Sequence, residues 1–192
     1  MTQHEAEEYN HLLIHEVIKE AETLGIEGKA GGEFIDRNIL VIPDDPRKGM
    51  IFLGEESASY KLGNVHLNLK RAIGAALELV ASVSIPENFF AYLQLLIVGA
   101  FFIQKFTKQE IGKEEAYIVY FLHQRNCYER GIDEKNLQNE FKTWYEEKME
   151  SHLNEVKYQK AVGTLCKYKI IDIEDGKIYL KEYVIGHVEY EK

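Results

Sequence analysis

The feature that most constrains this chain is an almost unbroken apolar run, FFAYLQLLIVGAFFI, from Phe89 to Ile103. A helix needs about 20 apolar residues to cross a bilayer, whereas this run is shorter and lies between Glu87 and Lys105. Side chains this apolar are stable only when they are removed from water. The sequence therefore predicts a central helix buried in a globular core, and no membrane partner.

The residues before this run predict one helix and a small antiparallel sheet. Apolar residues recur at helical spacing over 5–24, and Gly25 is a typical helix end. Residues 33–69 have the pattern of strands, with a hairpin that joins 39–42 to 50–53 through PDDPRKG. The glycine-rich GKAGG at 28–32 lacks the pattern of a phosphate-binding loop and is interpreted as a flexible connector.

The last third of the chain has a distinctive order of elements. Before this part of the chain, an apolar stripe predicts another helix over 69–83. Three further helices are predicted at 114–125, 135–149 and 153–169, and the second has Leu137, Phe141, Trp144 and Tyr145 on one face. Asp175-Gly176 between Ile173 and Ile178 is a strong signal for a type I′ hairpin.

Three helices followed by a hairpin resemble the winged helix-turn-helix class, over residues 113–184. We therefore expect a mostly helical α+β fold in two domains. Residues 1–112 would hold the N-terminal helix, the small sheet and the central helices, and residues 113–192 would hold the winged-helix-like unit. The resemblance concerns the order of elements, which predicts a fold more strongly than a function.

The third helix of this unit carries a lysine-rich face. Lys157, Lys160, Thr164 and Lys167 share one side of the helix, and we call this set the lysine face. The resemblance implies that such a face enters the major groove of DNA, where the lysines would contact phosphates and Gln159 would reach a base edge. The alternative is that these residues form the solvated side of an amphipathic helix.

Charge favours that alternative over binding to DNA. The chain has a net charge of −9, which repels phosphate, and the helix that carries the lysine face has no arginine. The predicted hairpin carries Asp172, Glu174 and Asp175, which would face the DNA backbone. Contact with nucleic acid would therefore need a local basic patch.

No catalytic or cofactor site is predicted. His11 and His15 have the spacing of two zinc ligands, but no third ligand can be located, so no metal is predicted. The chain has no GxSxG motif, and Cys166 falls on the predicted buried side of its helix. The chain has only two cysteines, Cys127 and Cys166, which indicates a reducing compartment such as the cytoplasm.

The sequence thus favours a non-enzymatic binding or regulatory protein that acts through contacts with another protein. The alternative is a winged-helix transcriptional regulator that binds duplex DNA. Tyrosine is enriched at protein interfaces, and Tyr179, Tyr183 and Tyr190 gather near the C-terminus. Formation of a homo-oligomer is left open.

Overall fold

The structure, a computed structural model, describes residues 1–43, 65–80, 85–101 and 111–186. It shows a mostly helical α+β fold with seven helices and two small antiparallel sheets in the described residues. Contacts divide the chain into two compact units. The first contains 1–67, 95–109 and 185–192, and the second contains 68–94 and 110–184. The predicted domain division at residue 112 stays a prediction.

The first unit begins with two helices in close contact, α1 (Gln3–Thr23) and α2 (Gly28–Asn38). Thr2 caps α1, and Gly25 follows its end with a φ of +76°, as the sequence predicts. The prediction of a connector at 28–32 and of β structure from residue 33 is wrong, because 28–38 is helical. Its glycines lie against α1: a Cβ on Gly31 would lie 2.5 Å from the Cβ of Ala21.

The sheet of the first unit has the strand order β1-β2-β6. β1 (Ile39–Val41) pairs antiparallel with β2 (Val65–Asn68), with Leu40 opposite His66. Val65 and Leu67 are buried and alternate with the half-buried His66 and Asn68, as in a strand with one face in the core. A hairpin was predicted between 39–42 and 50–53, and its loop and second strand lie outside the described residues. The third strand, β6 (Tyr183–Gly186), comes from the end of the described chain.

Two central helices follow β2. They are α3 (Leu69–Val80) and α4 (Ile85–Phe101). Nine of the residues from 89 to 100 are buried, and the other three, Phe90, Tyr92 and Val98, are half-buried. The predicted buried helix is therefore confirmed over these residues, while the side chains of 101–103 lie outside the described part. Among the described helices, none has both the length and the apolarity that a membrane crossing requires.

The C-terminal part of the second unit contains three helices and three short strands. The order is α5 (Lys113–Gln124), β3 (Ile132–Asp133), α6 (Glu134–Met149), α7 (Glu155–Lys167), β4 (Ile171–Glu174) and β5 (Lys177–Leu180). The side chain of Asp133 accepts the backbone N–H groups of the first turn of α6, and Asn154 does the same for α7. The three predicted helices are confirmed, with ends that shift by up to two residues.

The hairpin of the second unit confirms the predicted turn. β4 and β5 pair antiparallel with Ile173 opposite Ile178. Asp175 and Gly176 both have positive φ, 51° and 75°, as a type I′ turn requires. The sequence did not predict β3, which pairs with β5 and makes the strand order β3-β5-β4. The hairpin is therefore the larger part of a three-stranded sheet.

Candidate functional site

The most distinctive surface of the second unit is a cleft among α4, α5 and α6. It has a volume of about 350 Å³. We call it the aromatic cleft, and its lining residues are Phe89, Tyr117, Tyr120, Gln124, Trp144, Lys148 and Met149. Pockets that take ligands are mostly about 300–1,000 Å³ and apolar, with a few polar groups, so this cleft is at the small end of that range.

The helical repeat explains how α5 and α6 build the cleft. Tyr117, Tyr120 and Gln124 are three and four residues apart on α5 and so share one face. Trp144 and Lys148 are one turn apart on α6. The other faces of both helices enter the core, where Phe121 and Phe141 are buried with their ring centroids 5.6 Å apart. The cleft is therefore the outer edge of a packed aromatic layer.

Ring contacts fix the walls of the aromatic cleft. Trp144 lies 5.8 Å from Tyr120 and 6.2 Å from Tyr117, measured between ring centroids, and stacks on Phe141 at 5.7 Å. Phe89 of α4 meets Tyr120 edge-on at 5.8 Å. Each such pair stabilises the arrangement by about 0.5–1.5 kcal/mol beyond the burial of its area. These contacts hold the rings in place before any partner arrives.

The exposure of these rings suits the binding of another molecule. Phe89 is buried at the floor, while Tyr117, Tyr120 and Trp144 are half-buried. The amide of Gln124 donates a hydrogen bond to the Tyr120 hydroxyl, which orients that ring. Tyrosine and tryptophan offer large rigid faces that lose little conformational entropy on contact. The described lining contains no carboxylate, histidine or cysteine, so its chemistry is that of contact and hydrogen bonding.

The structure places the lysine face on the outside of α7. Lys157, Lys160 and Lys167 are exposed, while Tyr158, Ala161, Val162 and Leu165 of the same helix are buried. This confirms the predicted orientation of the helix. On the neighbouring helix α6, the ring of Trp144 contacts aromatic residues of α5 and Phe141.

Several residues of the predicted DNA-binding set have partners within the protein. Lys157 Nζ is 3.5 Å from a carboxylate oxygen of Glu114, and the amide of Gln159 donates to Glu155 at 3.1 Å. The hydroxyl of Thr164 donates to the carbonyl of Lys160. Lys167 Nζ is 5.7 Å from the ring centroid of Tyr168. The face is thus partly neutralised and not purely basic.

The hairpin beside this helix carries three acidic side chains, two of which pair with one lysine. Lys181 Nζ lies 2.5 Å from a carboxylate oxygen of Asp172 and 4.0 Å from one of Glu174. The hydrogen bond from Lys181 lowers the pKa of Asp172 below its usual value. Asp175 at the tip is exposed. One lysine therefore offsets part of the acidic charge that the sequence places on this hairpin.

A second cluster of titratable side chains joins α3 to the end of α5. His123 Nδ1 is 2.5 Å from the hydroxyl oxygen of Tyr128, and Lys70 Nζ lies 4.7 Å from the centroid of the Tyr128 ring. Lys70 also pairs with Glu182 at 2.6 Å. Burial, assisted by the charge of Lys70, lowers the pKa of His123, and burial raises the pKa of Tyr128. These groups satisfy one another and hold the segments together.

The first unit has a smaller and more polar cavity of about 180 Å³ beside α1 and β1. His11 lines it together with Glu7 and Asp36, and the amide of Asn10 lies 3.5 Å from a carboxylate oxygen of Asp36. His15 is exposed on the same helix. Within the described ranges, no three His, Cys, Asp or Glu side chains converge closely enough to hold a metal ion.

The cysteines and the tyrosines named from sequence are mostly structural. Cys127 is buried and Cys166 half-buried, both are free thiols, and burial raises the pKa of each. Such thiols are poor nucleophiles. Tyr179 is half-buried and Tyr183 is 56% exposed, while Tyr190 lies outside the described residues. Tyr117 and Tyr120, which build the cleft, were not identified from the sequence.

Comparison with known proteins adds no relative: no family model, no curated protein and no solved structure matches the chain.

Proposed function

We propose that this protein is a non-enzymatic binding or regulatory protein that acts through contacts with another protein, and that the aromatic cleft is where the partner docks. The observation that carries the proposal is the set of half-buried aromatic rings, Tyr117, Tyr120 and Trp144, around the buried floor of Phe89. Hot spots of protein interfaces are enriched in tryptophan, tyrosine and arginine and lie in central pockets that exclude water.

The shape and composition of the cleft support a peptide segment as the occupant. The volume of the cleft suits one or two inserted side chains. Its walls are apolar, and the exposed polar ends of its lining side chains can form hydrogen bonds with a peptide backbone. The two free thiols support a reducing setting such as the cytoplasm. The net charge of −9 supports a partner other than DNA or an anionic membrane surface.

A phage-displayed library of random peptides without tryptophan tests this proposal. Trp144 is the only tryptophan, so its fluorescence reports occupancy of the cleft directly. We expect the selected peptides to change the Trp144 emission on titration. Replacement of Tyr120 by Ala removes one wall and should weaken their binding by about tenfold or more, the loss typical of an interface hot spot.

The matched control is Tyr183→Ala, the same substitution at a tyrosine that is 56% exposed and lies away from the cleft lining. Circular dichroism checks that both variants keep the wild-type helix content. If the selected peptides bind wild type and Tyr120→Ala equally well and leave the Trp144 emission unchanged, the cleft is not a docking site and the proposal is wrong.

We propose duplex DNA as the second candidate partner, because the second unit has the order helix, strand, helix, helix and hairpin, with strand order β3-β5-β4. This order supports the resemblance to the winged helix-turn-helix class. Proteins of this class place their third helix in the groove, and α7, the third helix of this unit, carries the exposed lysines. The ion pair of Lys157 with Glu114 and the exposed Asp175 weigh against this candidate.

Binding to random duplex DNA at several salt concentrations separates the two candidates. Phosphate contacts would give an affinity that falls steeply with salt, since each contact releases counterions. Changing Lys157, Lys160 and Lys167 together to Glu would then abolish the binding. We expect no measurable specific DNA binding by the wild type, and a steep salt slope that the triple variant removes would favour the second candidate.

A further inference from the structure

We infer that the aromatic cleft binds an uncharged, proline-rich segment of a partner protein in the extended polyproline II conformation. This inference rests on the proposed function, since it names the chemistry of the partner at the same site. Three properties of the cleft support it: its aromatic walls, a lining that offers hydrogen-bond donors but no carboxylate, and charges of both signs around it.

The rings of the cleft form a rigid surface for the apolar ring of proline. Trp144 lies between ring contacts to Tyr117 and Tyr120, at centroid distances of 6.2 and 5.8 Å, and all three rings are half-buried. Aromatic-lined grooves bind proline-rich segments because the polyproline II helix of such a segment is already formed before binding. The partner therefore loses little conformational entropy when it docks.

The length of the cleft matches one turn of a polyproline II helix. Tyr117 and Gln124 both line the cleft and are seven positions apart on α5, which corresponds to about 10 Å at the helical rise. A polyproline II helix rises about 3.1 Å per residue and has three residues per turn, so one turn spans about 9 Å. Two prolines separated by two residues would therefore both lie over the aromatic walls.

The hydrogen-bonding groups of the lining suit a backbone that has carbonyl groups but few N–H groups. Within the described residues, no hydrogen bond engages the indole N–H of Trp144, whose side chain is half-buried. The Tyr120 hydroxyl accepts a hydrogen bond from the Gln124 amide, so its own O–H remains to donate. The described lining has no carboxylate to accept backbone N–H groups, and proline has no N–H to leave unpaired.

The charges around the cleft favour an uncharged segment. At one end, the exposed Lys148 stands beside the exposed carboxylates of Glu147 and Glu150 at the end of α6. At the other end, Arg125, just after α5, pairs with Glu140 at 2.6 Å. Charges of both signs are therefore present at either end, so neither an acidic nor a basic ligand gains a consistent attraction. An uncharged segment meets no repulsion and has no charge to remove from water.

The peptides selected from the tryptophan-free random library test this inference through their composition. We expect the peptides that depend on Tyr120 to be uncharged and to share two prolines separated by two residues. Replacing these prolines by alanine in the synthetic peptides should weaken binding to the wild-type protein by about tenfold or more, measured by Trp144 emission. This measurement uses the unchanged protein, so its result does not depend on whether a variant folds.

Trp144→Phe tests the hydrogen bond to the peptide backbone. Phenylalanine keeps an aromatic face but has no N–H, so the selected peptides should bind about fivefold more weakly, measured by isothermal titration calorimetry. Tyr183→Phe is the matched control, since it removes one donor from an exposed aromatic side chain outside the cleft lining and should leave the affinity unchanged. Circular dichroism checks that both variants keep the wild-type helix content.

Each outcome decides the inference. Uncharged peptides that share the two prolines, and that are weakened both by the loss of these prolines and by Trp144→Phe, would support it. Tyr120-dependent peptides that lack the two prolines, share a charged pattern, or bind equally well after the prolines are replaced would overturn it and leave the proposed function standing. Equal affinity of the selected peptides for Trp144→Phe and wild type would do the same. A pool with no Tyr120-dependent peptides would overturn both.

Discussion

Replacement of Gly31 by alanine tests the close approach of α1 and α2. A Cβ at this position would lie 2.5 Å from the Cβ of Ala21 and 3.2 Å from a methyl carbon of Leu95. The Ala21 atom is attached directly to the backbone, so no side-chain rotation can move it away. The two helices would have to separate, which would also loosen the contacts of α1 with Gly28 and Gly32.

The magnitude follows from two opposing effects. Alanine is the better helix former by about 1 kcal/mol, whereas forcing an extra carbon into a packed contact costs about 1–3 kcal/mol. We expect Gly31→Ala to lower the free energy of unfolding by up to about 2 kcal/mol. A domain of this size loses roughly 2–4 °C of melting temperature per kcal/mol, so the Tm should fall by up to roughly 8 °C.

Gly163→Ala is the matched control for helix propensity. Gly163 lies inside α7, is exposed, and would have no atom within 4 Å of an added Cβ. We expect this variant to be more stable than wild type by about 0.5–1 kcal/mol. Urea unfolding followed by circular dichroism compares the three proteins. If Gly31→Ala gains as much stability as Gly163→Ala, the packing of α2 on α1 described above is wrong.

Three further predictions concern the second unit. Tyr158→Phe should raise the free energy of unfolding by up to about 1 kcal/mol in a urea titration, because the buried Tyr158 hydroxyl has no hydrogen-bond partner among the described residues. A decrease in the free energy of unfolding by more than about 1 kcal/mol would instead show that the hydroxyl has a partner. The lowered pKa of His123 means that the unfolded chain binds the proton more tightly than the folded chain does. The free energy of unfolding should therefore be highest above about pH 6.5 and should decline as the pH falls below that value. His123→Gln should make this decline shallower. Gly176→Ala should destabilise the hairpin by about 1–2 kcal/mol, because its φ is +75°, and an unchanged Tm would contradict the type I′ turn.

The helices and hairpin of the second unit were predictable because local signals decide them. The apolar positions of α7 recur at helical spacing, so Tyr158, Val162 and Leu165 are buried while the lysines are exposed. Asp175-Gly176 determines a turn almost by itself, since both residues tolerate positive φ. In such segments the tertiary structure agrees with the local preference.

The first unit shows where local signals mislead. Glycine is a poor helix former, so a glycine-rich segment such as 28–32 favours a connector when it is considered alone. In the fold, Gly28, Gly31 and Gly32 lie on one side of α2, and their lack of side chains lets α1 approach. Gly31 and Gly32 follow Gly28 by three and four residues, and this spacing is the sequence signal that the three glycines share one face of a helix. Burial of Phe34 and Ile35 on the same helix offsets the poor propensity.

The aromatic cleft was only partly predictable. The sequence placed Trp144 on the apolar face of its helix, and the spacing of Tyr117, Tyr120 and Gln124 could have indicated a second wall. Nothing local indicates that Phe89 of α4 forms the floor, because that contact joins residues about thirty positions apart.

The strand order β1-β2-β6 has a consequence for folding during synthesis. β2 ends at Asn68 and β6 begins at Tyr183, so the central strand of this sheet leaves the ribosome long before its last neighbour exists. At about 5–20 residues per second, the delay is roughly 6–23 s. During that interval one edge of β2 lacks the strand that will cover it. The nascent N-terminal segment therefore has to stay soluble with an incomplete sheet, and translation rate or chaperone supply should affect the yield of native protein.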